Sequence, residues 1–422
     1  MISNPAMPRA ATGDAEHVRD ASHAVNRLAA STSEPLAAVA GFYLSFRLIF
    51  VLLASRVFFR DAQDGVVASL TLNYVLLAVV AFASVGQARL PFRSIVRLPC
   101  YPGVLLFLAF TGLSLIWSVT ASLPAAAAFW GAMVADAAIV ILLLRSGEVH
   151  SVAHSLMRGY VWGACAIAVI AWLLPAQTDL RLGDEELLGP NQIGWVCAFA
   201  FFLAQYLMRV KSGNWMVQAG LLSITLLRSL SKTTIIAFAV AQVYILLRDR
   251  SMSRSKKLFF TASALAVLAI FWNLLASYYD VYTNAGNQAE TMTGRFSIWL
   301  YIANEAIDKP WLGHGFHSVW KVIPPFDQDF EARHAHNELL QQFYAYGIAG
   351  IGMLIGIYSN VYHQVRKLGD EPSKIFFIGF LLFIVVRGFA DTEAFDLSLP
   401  MWMIVIIGAL LHESRRNREA VA

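Results

Sequence analysis

Twelve apolar runs separated by polar turns account for most of this chain, and they decide what it can fold into. They fall at roughly 36–55, 65–85, 103–119, 124–144, 156–175, 191–209, 214–230, 233–247, 258–276, 338–360, 375–390 and 397–411. An α-helix needs about 20 apolar residues to cross the hydrocarbon core of a bilayer. Lipid cannot satisfy a backbone amide, so a run of this kind crosses as a helix with its own hydrogen bonds. Hydrophobic residues make up 58% of the 422 positions and charged residues 14%, far from the balance of a soluble domain. The fold class expected is all-α: a polytopic integral membrane protein of about twelve transmembrane helices.

The placement of Lys and Arg tests that count, because cytoplasmic loops carry an excess of both. With the first residues inside, every second loop is basic: Arg89, Arg93 and Arg97; Arg145 and Arg158; Arg209 and Lys211. Then come Arg248, Arg250, Arg254, Lys256 and Lys257; Arg366, Lys367 and Lys374; and finally Arg415, Arg416 and Arg418. Twelve spans with both termini in the cytoplasm satisfy all of these loops. The formal charge of +4 is small and gives no reason to expect a nucleic-acid partner.

This divides the chain into a disordered cytoplasmic tail (1–35), nine transmembrane helices (36–276), one large extracytoplasmic loop (277–337), three further helices (338–411) and a short cytoplasmic tail (412–422). Residues 1–35 lack the short apolar core and cleavage site of a signal peptide. Cys100, Cys165 and Cys197 show no metal-ligand spacing and read as small buried hydrophobes. Near the middle of two spans, Arg47 and Asp136 are expected to pair, because an isolated charge is costly there.

The long loop is rich in Tyr, Trp and Phe, which favours folding over disorder. A helical pattern opens at Thr293-Gly294-Arg295, with Phe296, Trp299, Ile302 or Ala303, and Ala306 at three- and four-residue spacing. Pro310 ends it. His334-Ala335-His336-Asn337 then closes the loop at the mouth of the next span.

Polar groups collect on the extracytoplasmic side: Asn191, Arg228, Lys232, Arg295, His336 and Arg387. Guanidinium groups bind phosphate oxygens bidentately and stabilise charge on a leaving group. An imidazole titrates near neutrality and can accept a proton from an attacking hydroxyl. Such a set suits metal-free group transfer from a pyrophosphate-bearing lipid. Each residue also has a plainer reading. Arg295 could pair with Glu290, and Arg228 and Lys232 could snorkel to headgroups. Arg387 could pair with Asp391, Asn191 could cap its helix, and His336 with Asn337 could form a helix start. His334 and His336 have no further obvious ligand in sequence, so no metal site is expected. Asp327 and Asp329, on the same side, read as a solvated loop.

Four stretches resemble the O-antigen ligase and polysaccharide polymerase family, particularly its exopolysaccharide-production branch. They are Leu188-Gly189-Pro190-Asn191-Gln192-Ile193-Gly194; Ser229-Leu230-Ser231-Lys232-Thr233; Thr293-Gly294-Arg295 with Trp299 and Lys309-Pro310-Trp311-Leu312-Gly313-His314-Gly315; and His336-Asn337-Glu338-Leu339-Leu340-Gln341 with Gly347. The resemblance spans roughly residues 180–360. It implies a polytopic, GT-C-like, metal-independent inverting glycosyltransferase of the bacterial inner membrane, with its active site on the periplasmic face and no cofactor. The implied donor is an undecaprenyl-pyrophosphate-linked oligosaccharide, polymerised into exopolysaccharide or O-antigen. An O-antigen ligase acting on lipid A–core is the alternative, and a transporter or flippase of lipid-linked glycans is one of another class. Membrane lipid and other polysaccharide export or chain-length proteins are the further partners implied. Carried over, Arg295 engages the pyrophosphate and His336 serves as base. Arg228, Lys232 and Arg387 are the further pyrophosphate ligands, and Asn191 and Asn337 orient the site. At Lys232 the family commonly has Arg, so the fork geometry is lost there.

Overall fold

The structure is a computed structural model and describes residues 13–85, 95–175, 177, 180–184, 188–284, 292–319, 334–393 and 395–419. Arg89, Arg93, Glu185, Glu186, Glu290, Asp327 and Asp329 lie outside the described residues.

Helices follow the apolar runs. In chain order they are α1 (Gly13–Leu53), α2 (Ala62–Ser84), α3 (Tyr101–Leu113), α4 (Leu123–Ser146), α5 (Val149–Leu173), α6 (Pro190–Arg209) and α7 (Met216–Arg228). Then come α8 (Lys232–Arg248), α9 (Arg254–Ile270), α10 (Trp272–Asn284), α11 (Met292–Ile307), α12 (Glu338–Arg366), α13 (Glu371–Gly388) and α14 (Met401–Glu419). Among the described residues the only β-type pairing is a bridge between Asp184 and Leu188. Among the described residues, five stretches are long and apolar enough to cross a membrane: Ser33–Phe59, Ala62–Ser84, Leu123–Ser146, Val149–Leu173 and Glu338–Arg366. Tyr101–Ile116 and Met216–Arg228 are apolar but shorter.

Two expectations need correction. Residues 13–35, taken as part of a disordered tail, are helical and continuous with α1. That segment is Ala-rich, and alanine has the highest helix propensity. The loop 277–337 is also less open than expected, because α10 carries helix on to Asn284.

Helix starts follow local chemistry. Asp61 caps α2 by accepting from the Gln63 and Asp64 amides at 2.7 and 3.1 Å, and Asp370 accepts from Ser373 at 3.3 Å to start α13. α1 and α5 approach each other most closely, through small residues. Gly159 and Gly163 on α5, one helical turn apart, lie against α1. A Cβ on Gly159 would stand 1.9 Å from the Ala38 carbonyl oxygen, and one on Gly41 the same distance from that of Leu156. Van der Waals contact between close backbones is the main source of helix association in lipid. Gly159→Ala is therefore expected to push the pair apart and lower stability by about 1–3 kcal/mol. Thermal unfolding of the detergent-purified protein measures it, and an unshifted midpoint would contradict this packing.

The buried charge pair predicted between Arg47 and Asp136 is present. Asn73 donates to the other Asp136 oxygen at 3.0 Å, so one carboxylate ties α1, α2 and α4 together.

The loop segment packs on α12. Ile298, Ile302 and Ala306 of α11 form a small apolar cluster with Val319, Ala335 and Tyr344. The buried stripe thus starts at Ile298; Phe296, expected to begin it, is 63% exposed. Both stripes have helical spacing, and only the position of α12 selects between them. Within α12, Gly347 breaks the helix at φ +62°. A side chain there would meet the Trp311 carbonyl carbon at 2.4 Å, and the Ile348 amide donates to Pro310 at 2.7 Å. The Lys309–Gly315 turn is seated on this break. His314 and Gly315 donate to the Tyr344 and Ala345 carbonyls at 3.0 and 2.8 Å.

Candidate active site

Three chain segments meet at the turn after α13: the start of α11, the residues just before α12, and residues 390–393. Asn337 fixes the second of these. Its Oδ1 caps α12 by accepting from the Leu340 amide at 3.0 Å, while Nδ2 donates to the Phe389 carbonyl at 2.9 Å. His336 precedes it at φ +49°, a left-handed conformation uncommon for a residue with a side chain. Glu338 secures the same corner, accepting from the Tyr358 hydroxyl at 2.8 Å and the Ser398 amide at 2.7 Å.

Asp391 is the centre of the cluster. Its Oδ1 lies 3.3 Å from His336 Nδ1 and accepts from the Thr392 amide at 3.1 Å. Its Oδ2 accepts from Arg387 at 3.2 Å. Arg387 also reaches Glu393 at 3.1 Å, and its guanidinium stacks on the Trp195 ring at 4.2 Å from the centroid. It is only 2% exposed, yet its Nε and Nη1 atoms have no hydrogen-bond partner among the described residues. Buried donors of this kind normally have a partner, so these two are available to an anion.

Arg295 arrives from α11. Its guanidinium donates to the Thr233 hydroxyl at 3.0 Å and to the Ala390 carbonyl. It therefore stands one residue from Asp391 and its His336 bond. Thr233 follows Lys232, the exposed first residue of α8. Asn191, at the start of α6, accepts from the Ser231 hydroxyl at 3.0 Å. Asn191, Lys232, Arg295, His336, Asn337 and Arg387 thus all belong to one connected neighbourhood. Arg228 does not join it through any described bond. Its guanidinium donates instead to the Leu180 carbonyl in the loop before α6.

The electrostatics favour an ionised Asp391 beside a neutral His334 imidazole. Burial pushes the Asp391 carboxyl up, but Arg387 foremost, then His336 and His334, outweigh it and hold it well below the usual range. His334 is pushed down to about 3, mainly by burial and then by His336. Its neutral Nδ1 accepts from the His336 amide at 3.3 Å. The two rings lie 4.1 Å apart.

Sequence reasoning placed Asp391 beside Arg387 but missed its bond to His336, and it missed Glu393 and Trp195 altogether. It also missed the third partner of the histidine pair: His334, His336 and Asp391 each offer a ligand atom within 4.8 Å of the others. Asp391 already accepts from Arg387, Thr392 and His336, and two guanidinium groups stand next to it. A cation would have to displace the first and face the second. The constellation fits a carboxylate–imidazole pair better than a metal centre.

Comparison with known proteins agrees with the resemblance in the loop motifs. A family model described as O-antigen ligase matches residues 218–355. The chain is 25% identical to an O-antigen ligase of Pseudomonas aeruginosa over 362 residues, covering 83% of this chain and 79% of that protein. It is 23% identical to the exopolysaccharide production protein ExoQ of Rhizobium meliloti over 352 residues, covering 76% of this chain and 79% of that protein. Residues 218–355, which match that family model, contain both the Arg295 and the His336 segments.

Proposed function

We propose that the protein is a multi-pass inner-membrane glycosyltransferase that polymerises undecaprenyl-pyrophosphate-linked oligosaccharide repeats at the periplasmic face. The observation that carries this reading is the meeting of Arg295, Arg387, Asp391 and His336 at one turn. The expected twelve spans, cytoplasmic termini, large periplasmic loop and GT-C-like class belong to the same proposal. The alternating basic loops and the helix found at each apolar run support them.

In the reaction proposed, a sugar hydroxyl of the acceptor attacks the anomeric carbon of the donor from the face opposite the pyrophosphate. The new C–O bond forms as the bond to the pyrophosphate oxygen breaks, inverting the centre. His336, held at Nδ1 by Asp391, takes the hydroxyl proton at Nε2. Arg295 and the two unpartnered nitrogens of Arg387 receive the charge that builds on undecaprenyl pyrophosphate. Lys232, next to Thr233, is better placed than Arg228 to add a third cation, since Arg228 is held by Leu180. Asn191 and Asn337 position the segments that carry these groups.

Arg295→Ala tests the assignment. Losing one such contact typically lowers turnover about 10²–10³-fold. In a deletion strain complemented with the variant, polymer is expected to vanish while the membrane-inserted protein stays at its normal level. Near-normal polymer would defeat the assignment. The deletion strain itself separates polymerase from ligase: single repeats on carrier mean polymerase, and long chains on carrier mean ligase. The ligase reading is favoured by the name of the Pseudomonas relative, the polymerase reading by that of the Rhizobium relative.

A further inference from the structure

The break in α12 is a reversal. Glu338 and Tyr358 are 20 positions apart, about 30 Å along a straight helix, yet their side chains hydrogen-bond at 2.8 Å. A Cβ on Gly350 would stand 2.7 Å from the carbonyl oxygen of Gln342, which a straight helix would hold two turns away. Residues 338–346 therefore fold back at Gly347 and run beside the rest of α12, with Gly347 at the tip of a helical hairpin.

Residues 348–366 are then the part of α12 that crosses the membrane. At about 1.5 Å per residue they make about 28 Å of helix, close to the roughly 30 Å of a hydrocarbon core. Arg366 and Lys367 close one end, so Ile348 stands at the opposite boundary of the bilayer. A helix that begins there leaves its first amides without acceptors, and lipid supplies none. The turn at 309–315 supplies two: Ile348 and Ala349 donate to the Pro310 and Trp311 carbonyls at 2.7 and 3.3 Å. These bonds fix the turn at the depth of Ile348.

At that depth the turn is apolar on its outer side. Ile307, Trp311, Leu312 and Ile348 are each at least half exposed. The patch continues along α12, where Ile348, Gly352, Ile355 and Tyr362 share one exposed face at helical spacing. That face belongs to a membrane-crossing helix and is covered by lipid, and the patch on the turn is its edge. Tryptophan favours the level where headgroups meet acyl chains, and the exposed Lys309 beside it suits the headgroups themselves. We propose that residues 307–312 are an anchor embedded in the leaflet on this side of the bilayer, held there by Trp311 and Leu312. In the topology proposed above, on which only the choice of leaflet rests, this is the periplasmic leaflet. The anchor holds the tip of the hairpin at the membrane surface, and the His336 end of α12 hangs from it beside the span.

Spin labels on the full-length protein test this, in nanodiscs of phosphatidylethanolamine and phosphatidylglycerol. The native cysteines are buried, so labels go to Leu312→Cys, Ile355→Cys and Ser255→Cys, the last an exposed position among the cations between α8 and α9. Access to oxygen, which concentrates in lipid, is compared with access to a water-soluble nickel chelate. The label at 312 is expected to show a several-fold higher oxygen-to-nickel ratio than the one at 255. Its depth should fall within about 10 Å of the headgroups, the usual burial of an interfacial apolar face. The label at 355 should lie deeper. Adding Trp311→Glu should move the label at 312 towards water and leave that at 355 in place, whereas Trp311→Phe should move neither. The anchor is overturned, and the crossing helix stands, if the label at 312 is as open to nickel as that at 255. The same holds if it is shielded from both probes, as by a second copy of the chain, or stays in place in Trp311→Glu. If the label at 355 is also open to nickel, residues 348–366 do not cross the membrane, and the proposed topology falls with the anchor.

Discussion

Arg387→Ala is expected to abolish glycan transfer and, in addition, to destabilise the protein by about 3–5 kcal/mol, the usual loss when one partner of a buried ion pair is removed. The side chain is 2% exposed and bonds Asp391 and Glu393 at 3.2 and 3.1 Å. Removing it leaves two carboxylates in a confined site with no guanidinium to balance them. It also empties the space over Trp195 and removes the donors proposed for the pyrophosphate. Lysine should rescue only part of this, because a single ammonium cannot span two carboxylates and still offer spare donors. Complementation of a deletion strain reads the activity, and thermal unfolding of the purified protein reads the stability. An Arg387→Ala variant that unfolds at the wild-type temperature would show that the carboxylates find other partners. One that also makes polymer would remove Arg387 from the mechanism.

The double role of Arg387 illustrates which parts of the molecule could be read from sequence. Elements defined by local spacing were legible. Each apolar run proved helical, α11 began within a residue of the Thr293-Gly294-Arg295 pattern, and the tight turn at Arg228 and Lys232 lies between α7 and α8. The pairing of Arg47 with Asp136 was legible too, because an intramembrane charge has few alternatives. The four-residue spacing of Gly159 and Gly163 is open to the same kind of reading, as a small-residue helix contact. The links between loops were not legible. His336 and Asp391 are 55 positions apart, and what joins them is the angle at which α12 and α13 emerge, set partly by Asn337 donating to Phe389. Nothing near Trp195 in sequence shows that an arginine almost 200 residues later will lie on its face. Arg228 and Lys232 looked equivalent at one turn of spacing. They are distinguished only by a carbonyl at Leu180, supplied from outside their own segment.

Asp391→Asn is expected to keep the fold and lose the chemistry. Asparagine has nearly the shape of aspartate, and its one amide oxygen can still accept from Arg387, which also keeps Glu393; the Thr392 amide, bonded to the other oxygen, loses that acceptor. Asparagine cannot supply the negative charge next to His336 Nδ1, 3.3 Å away, that holds the ring with Nε2 outward and steadies the imidazolium formed as the acceptor hydroxyl gives up its proton. Loss of an orienting carboxylate of this kind lowers turnover about 10²–10⁴-fold. Substrate affinity should move far less, because the cations proposed to hold the pyrophosphate remain. The pH dependence sharpens the test. Arg387, His336 and His334 overcome burial to depress the Asp391 carboxyl below its ordinary value of 3.8. Its stabilising charge is therefore fully present above that pH and is lost only as the pH falls through the depressed value. Asp391 is thus ionised throughout the working range, and the Asn variant should be impaired at every pH tested above about 5 with no recovery toward either end. His336→Ala should match it in turnover, and the double variant should be little worse than either single one, since the two side chains act as a unit. Steady-state transfer by purified variants, with donor binding measured in parallel, decides the matter. Additive losses in the double variant would mean that Asp391 and His336 serve separate purposes, and the pair would then be a structural ion contact with no part in the proton transfer.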